Sequence, residues 1–151
     1  MKSIIFILFT ILTVNTVWGQ KNIESTQVTV DSLMLNGFFN SERIRPYHLS
    51  YIETKAILVM LNSKFNSIKE TLNLQSDKLV DSYRYQLISG RNANDEIIVY
   101  VIGIGKSLPQ YLQSNWQKNI ILLKCTNDEY IHVTLNLSSN LITEMHDNSC
   151  D

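Results

Sequence analysis

Between about Leu74 and Tyr83 the apolar period of this chain changes from that of a helix to that of a strand, and the change limits the folds open to it. Before it, Ile57, Leu61, Phe65, Ile68 and Leu72 recur at spacings of three and four, which builds one apolar stripe on a helix. Ser50 can cap the start, and Glu53 three residues on completes a capping-box pattern. Neither Pro nor Gly interrupts the stretch, so the spacing predicts a helix from about 51 to 72. Asn62-Ser63 and Asn66-Ser67 are poor helix formers and mark where it would split.

After the change, Tyr83, Tyr85 and Leu87 alternate with Arg84 and Gln86. Residues 90–95 have turn chemistry, and Glu96 to Ile104 is an apolar run rich in Ile and Val. The pattern predicts a β-hairpin. With Ser89 opposite Glu96, Tyr85 would face Tyr100 and Leu87 would face Ile98, under the helix. Ser107 as a cap and Pro109 in a first turn predict a short helix to Trp116. Strands are expected over 119–125, 130–137 and 141–146, separated by turns at 126–129 and 138–140. The segment Gln20 to Ser50 is polar and mixed, and reads as one short extended piece with loops. Strands joined by tight turns are antiparallel. The class expected is therefore α+β: a helix packed on an antiparallel sheet of four to six strands, in a single domain.

Composition agrees with one ordinary domain. The chain has 151 residues, a formal net charge of −1, 44% hydrophobic and 18% charged residues. That balance excludes a basic nucleic-acid binder and a disordered chain. Two cysteines exclude a disulfide-dense scaffold. Residues 1–19 have the parts of a secretory signal: Lys2, an apolar run from Ile4 to Val14, and Val17-Trp18-Gly19 before a cut ahead of Gln20. The run is too short to cross a bilayer, which needs about 20 apolar residues. The expectation is a domain over 20–151, secreted or periplasmic, with no membrane span after cleavage.

Export makes a Cys125–Cys150 disulfide the favoured reading of the two cysteines. It would close a loop of about 26 residues and contribute about 3.5 kcal/mol on the chain-entropy account. The histidines are the other candidate site. If Leu137 faces Leu141, the register puts His132 opposite His146, with Cβ atoms about 5 Å apart. Two imidazoles there could share a metal with Glu144, Asp147 or Glu129. The plainer reading is two histidines on a polar face, and no metal or other cofactor is expected. Gly103-Ile104-Gly105-Lys106-Ser107 has the end of a phosphate loop, but Tyr100 stands where its first glycine belongs. Those glycines read as a strand exit. Tyr83, Tyr85, Tyr100 and Trp116 could line a pocket, and core packing is their commoner use.

Glu53-Thr54-Lys55 leading to Leu61-Asn62-Ser63-Lys64-Phe65-Asn66-Ser67-Ile68 resembles a pattern in small exported proteins of the β-lactamase-inhibitor-protein and outer-membrane-assembly-lipoprotein type. The Leu-Gly-x-Pro that ends their helix is missing here. The order of strands around a helix also resembles cystatin-like and nuclear-transport-factor-like cones. Gln27-Val28-Thr29-Val30 departs from the cystatin loop at Thr29 and Asp31. Either resemblance implies a binding module rather than a fixed activity. The function expected is a non-enzymatic binding or protein-interaction module of the bacterial envelope or secretome. Its partner would be an envelope or extracellular protein, or a small ligand between helix and sheet, and not nucleic acid. The alternatives are a metal-dependent protein or enzyme built on His132 and His146, and a secreted enzyme inhibitor presenting residues 36–48 or 90–95.

Overall fold

A computed structural model describes residues 23–39, 44–110, 114–123 and 127–148. The signal segment 1–19 and its cut at Gln20, both cysteines of the expected disulfide, residues 40–43 of one candidate loop and residues 111–113 lie outside them.

The elements are β1 (Glu24–Gln27), α1 (Ser32–Phe39), β2 (Arg45–Pro46), α2 (Tyr51–Thr71), β3 (Tyr83–Arg91), β4 (Ile97–Gly105), β5 (Asn127–Asn136) and β6 (Leu141–Asn148). They form one six-stranded sheet in the order β1-β3-β4-β5-β6, with β2 also on β3. The fold is α+β, with the long helix on the sheet. The sheet is mixed, because β1 runs parallel to β3 along Arg84–Leu87. β2 takes up the same edge of β3 at Gly90 and Arg91 and runs antiparallel.

α2 forms where its stripe requires. Ile57, Met60, Leu61, Phe65 and Ile68 are buried against Tyr83, Tyr85, Leu87, Val99, Val101, Ile131, Val133 and Leu135, on what is here termed the first face of the sheet. The Ser50 hydroxyl accepts from Glu53 N–H at 3.3 Å, and Glu53 accepts from Ser50 N–H at 2.7 Å. The helix is not split at Ser63, whose hydroxyl bonds back to Met60 O at 2.9 Å, a local bond that satisfies the polar side chain within the helix. Gly103 belongs to this packing. A Cβ there would lie 2.6 Å from Ile131 Cγ1 and 3.2 Å from Tyr85 Cε1, so only Gly lets both side chains cross β4.

The hairpin register differs from expectation by three residues. Tyr85 pairs with Gly103, and Tyr100 pairs with Ile88. The cause is the turn: Asn92 Oδ1 accepts from Asn94 and Glu96 N–H, both at 3.0 Å, with Asp95 left-handed at φ 62°. An odd displacement moves a strand's side chains to the opposite face. Tyr100 therefore leaves the α2 core and joins Ile102, Ile104, Ile88 and Tyr130 on the second face.

That second face is covered too. α1 lies on it, where loops were expected: Asp31 Oδ1 accepts from Met34 N–H at 2.8 Å and caps the helix. The strand expected over 119–125 is absent from its described part, and no regular α-helix starts at Ser107. Among the described residues, 107–109 and 114–118 make turns and bends, Gln110 is in 3-10 conformation, the expected helix otherwise falls on residues 111–113 outside them, and 119–123 pairs with no strand. Several of its backbone groups bond side chains instead. Gln86 Nε2 donates to Asn119 O at 2.7 Å and to Trp116 O, while Gln86 Oε1 accepts from Ile121 N–H at 2.9 Å. Tyr130 Oη donates to Ile121 O at 2.6 Å. A backbone satisfied this way has no need of a ladder.

Candidate functional site

The β5–β6 hairpin brings the expected histidines together, by a route other than the one expected. Asn136, not Leu137, pairs with Leu141. Asn140 is left-handed at φ 57°, and Asn136 Oδ1 accepts from Ser139 N–H at 3.0 Å to close the turn. An irregularity between Thr134 and Leu135 then shifts the register, so that Thr134 faces Glu144 and His132 faces His146. A β-bulge displaces pairing by one residue in this way.

His132 is partly buried between two tyrosines. Its ring lies edge-on to Tyr130, with centroids 4.9 Å apart, and 5.2 Å from Tyr100. Tyr100 Oη and His132 Nδ1 share a hydrogen bond of 2.8 Å. The Tyr100 ring is covered in turn by Phe38 at 5.0 Å and Phe39 at 6.2 Å, both from α1. His132 Nε2 is closed off from solvent and has no hydrogen-bond partner among the described residues. Burial and the charge on His146 hold the imidazole down to about 4. Burial and the Glu144 carboxylate push the Tyr100 phenol up to about 12. At neutral pH this is an uncharged phenol–imidazole pair that bridges the sheet to α1.

The described donors do not assemble a metal centre. One His132 nitrogen is engaged by Tyr100. Glu129 is engaged elsewhere, paired with Lys78 and accepting from Ser107 Oγ. Among the described residues no three His, Cys, Asp or Glu side chains come within reach of one ion.

The other sequence candidates have structural partners. Tyr83 and Tyr85 are fully buried in the first core, where Tyr85 Oη donates to Val80 O at 2.8 Å and burial pushes both phenols up. Lys106, at the end of the glycine-bearing run, ion-pairs with Glu24 at 2.8 Å, and Arg84 reaches the same carboxylate at 3.0 Å. Their hydrogen bonds hold the Glu24 carboxyl below its usual value. Asp95 in the 90–95 turn is tied to Arg45 and Arg91 at 3.0 and 3.2 Å. Between α2 and the sheet, side chains of both pack into one apolar cluster.

Two features escaped the sequence. One is a small cleft of about 180 Å³ where β1 and β2 part along β3, lined by Val28, Val30, Pro46, Tyr47, His48 and Ser89. Its Ser89 hydroxyl is engaged, donating to Tyr47 O at 2.6 Å and accepting from Gln27 Nε2 at 3.1 Å. The other is the outer face of α2. Tyr51, Ile52 and Val59 are 71%, 78% and 54% exposed. Residues 51, 52, 55, 56 and 59 share one side of a helix with 3.6 residues per turn, and Lys55 Nζ lies 4.8 Å from the Tyr51 ring centre. The stripe spacing that locates the buried side also locates its opposite, so apolar residues there were the available signal.

Comparison with known proteins finds no matching family model, curated protein or solved structure. No helix among the described residues is long and apolar enough to cross a membrane.

Proposed function

We propose that this chain is an exported, non-enzymatic protein-interaction module that docks through the first half of α2. The observation that carries the reading is the exposed set Tyr51, Ile52 and Val59 on a helix whose other side is locked into the first core. Single exposed apolar residues are ordinary, whereas several on one face mark a contact surface. The surface is also rigid, which lowers the entropy lost on binding. The capping box holds the end of the helix that carries it, and Tyr47 Oη donates to Glu53 at 2.8 Å. Lys55 within the patch favours a partner that sets a carboxylate among apolar side chains. Export rests on residues 1–19, and the partner class is another envelope or extracellular protein.

The test is site-specific photo-crosslinking in the secreting cells, with the photoreactive residue at position 52 or 59 and, as control, at exposed position 70. A discrete adduct from 52 and 59 but not from 70 is the expected result. Equal labelling from all three positions, or none, would count against the α2 surface.

A further inference from the structure

The phenol–imidazole pair joins two layers that are held very unequally. α2 buries five side chains in the first core, while α1 has one fully buried residue, Leu35. Among the described residues α1 also touches β2 and β3, sets Phe38 and Phe39 on the Tyr100 ring, and accepts a hydrogen bond of 3.1 Å from Ile44 N–H at Asn36 Oδ1. Leu33 and Met34 face solvent, 83% and 54% exposed. The aromatic part of the α1 grip therefore passes through Tyr100, and Tyr100 is held by its hydrogen bond to His132.

A neutral imidazole offers one donor and one acceptor, and a protonated one offers two donors. On protonation, Nδ1 must donate to Tyr100 Oη, so the phenol proton has to turn elsewhere. Nε2 becomes a buried charged donor with no acceptor among the described residues, an arrangement far costlier than an orphaned neutral atom. The ionisable groups around the ring are Tyr100 on β4, Tyr130 on β5, and Glu144 and His146 on β6. α1 brings no charged residue, and the described part of 114–123 brings only Lys118, which is exposed. His146, directly opposite, disfavours the charged form of His132. Glu144 is exposed on β6, opposite Thr134.

We propose that His132 is an acid-operated catch: its protonation releases α1 from the second face while α2 and the first core stay in place. The release uncovers the apolar ring of Tyr100, separate from the α2 surface. An exported chain meets external pH directly, so such a catch would expose a second contact surface in acid. This inference stands on the Tyr100–His132 geometry and does not depend on what binds α2.

The experiment is hydrogen–deuterium exchange on the full exported chain at pH 7, 5.5 and 4.5, corrected for intrinsic exchange rates. Peptides from 32–39 are compared with peptides from 51–71. Protection of 32–39 should fall at least tenfold as pH drops, reversibly, with 51–71 unchanged. In His132→Gln the 32–39 peptides should stay protected at every pH. Loss of both regions together, or the same loss in His132→Gln, overturns the proposal. If that variant does not fold, the wild-type His132 ring resonances decide: their titration must coincide with α1 release, and a midpoint more than one pH unit away overturns it.

Discussion

The two faces of the sheet are assembled by different physics. The first is apolar packing against one long helix: a stripe at spacings of three and four meets strands that alternate at two. The second is apolar at its base but organised by polar side chains that capture backbone. Gln86 holds the 116–121 segment by three hydrogen bonds, Tyr130 adds a fourth, Asp31 starts α1, and His132 orients the tyrosine on which α1 rests. Packing is spread over many contacts and tolerates small errors in any one. Polar pins are few, and each is decisive, because a buried group that loses its partner keeps its desolvation cost.

Four changes would break or sharpen this contrast. The largest effect belongs to the first face. Phe65, buried beside the Tyr83 ring with centroids 5.9 Å apart, should cost about 4 kcal/mol as Phe65→Ala in chemical denaturation, with both layers lost in one transition. Acid should act on the second face. The folded state holds His132 near 4, below the ordinary value of 6.5, so the folded chain favours the neutral ring. That stability is fully present above pH 6.5 and is lost as pH falls towards 4. The shift corresponds to about 3 kcal/mol, and His132→Gln should flatten this part of the stability–pH curve. Gln86→Met should cost about 2 kcal/mol, because it strands two carbonyls and one N–H while keeping the volume. Its effect should fall on Trp116 fluorescence before it reaches α2 helicity. Smallest is Ser50→Ala, at about 1 kcal/mol in thermal unfolding, since it removes one half of the capping box.

The contrast also explains what could be read in advance. α2, its cap, its buried stripe and the strand character of 83–104 follow from local period and short-range chemistry, and all are present. The face assignment of Tyr100 failed because it hung on one turn, and Asn92 closes that turn three residues away from the assumed register. The segment 119–123 has a strand's composition, with Ile120, Ile121, Leu122 and Leu123 in a row. Its hydrogen bonds were claimed by Gln86 and Tyr130, more than thirty residues before it and about nine after it, and no local pattern carries that. His132 opposite His146 was reached because the bulge shifted the register by the same single residue as the misplaced turn. The Tyr100–His132 bond was out of reach once Tyr100 had been put on the wrong face.

Native-state hydrogen exchange across a denaturant series at pH 7 tests the two-layer account most directly. If the account holds, amides of α1 and of 114–123 exchange through an opening of lower free energy than those of α2 and β3–β5, as a separate unit. Exchange of both sets through one opening at the global stability would contradict it, because the second layer would then be no less firmly held than the first.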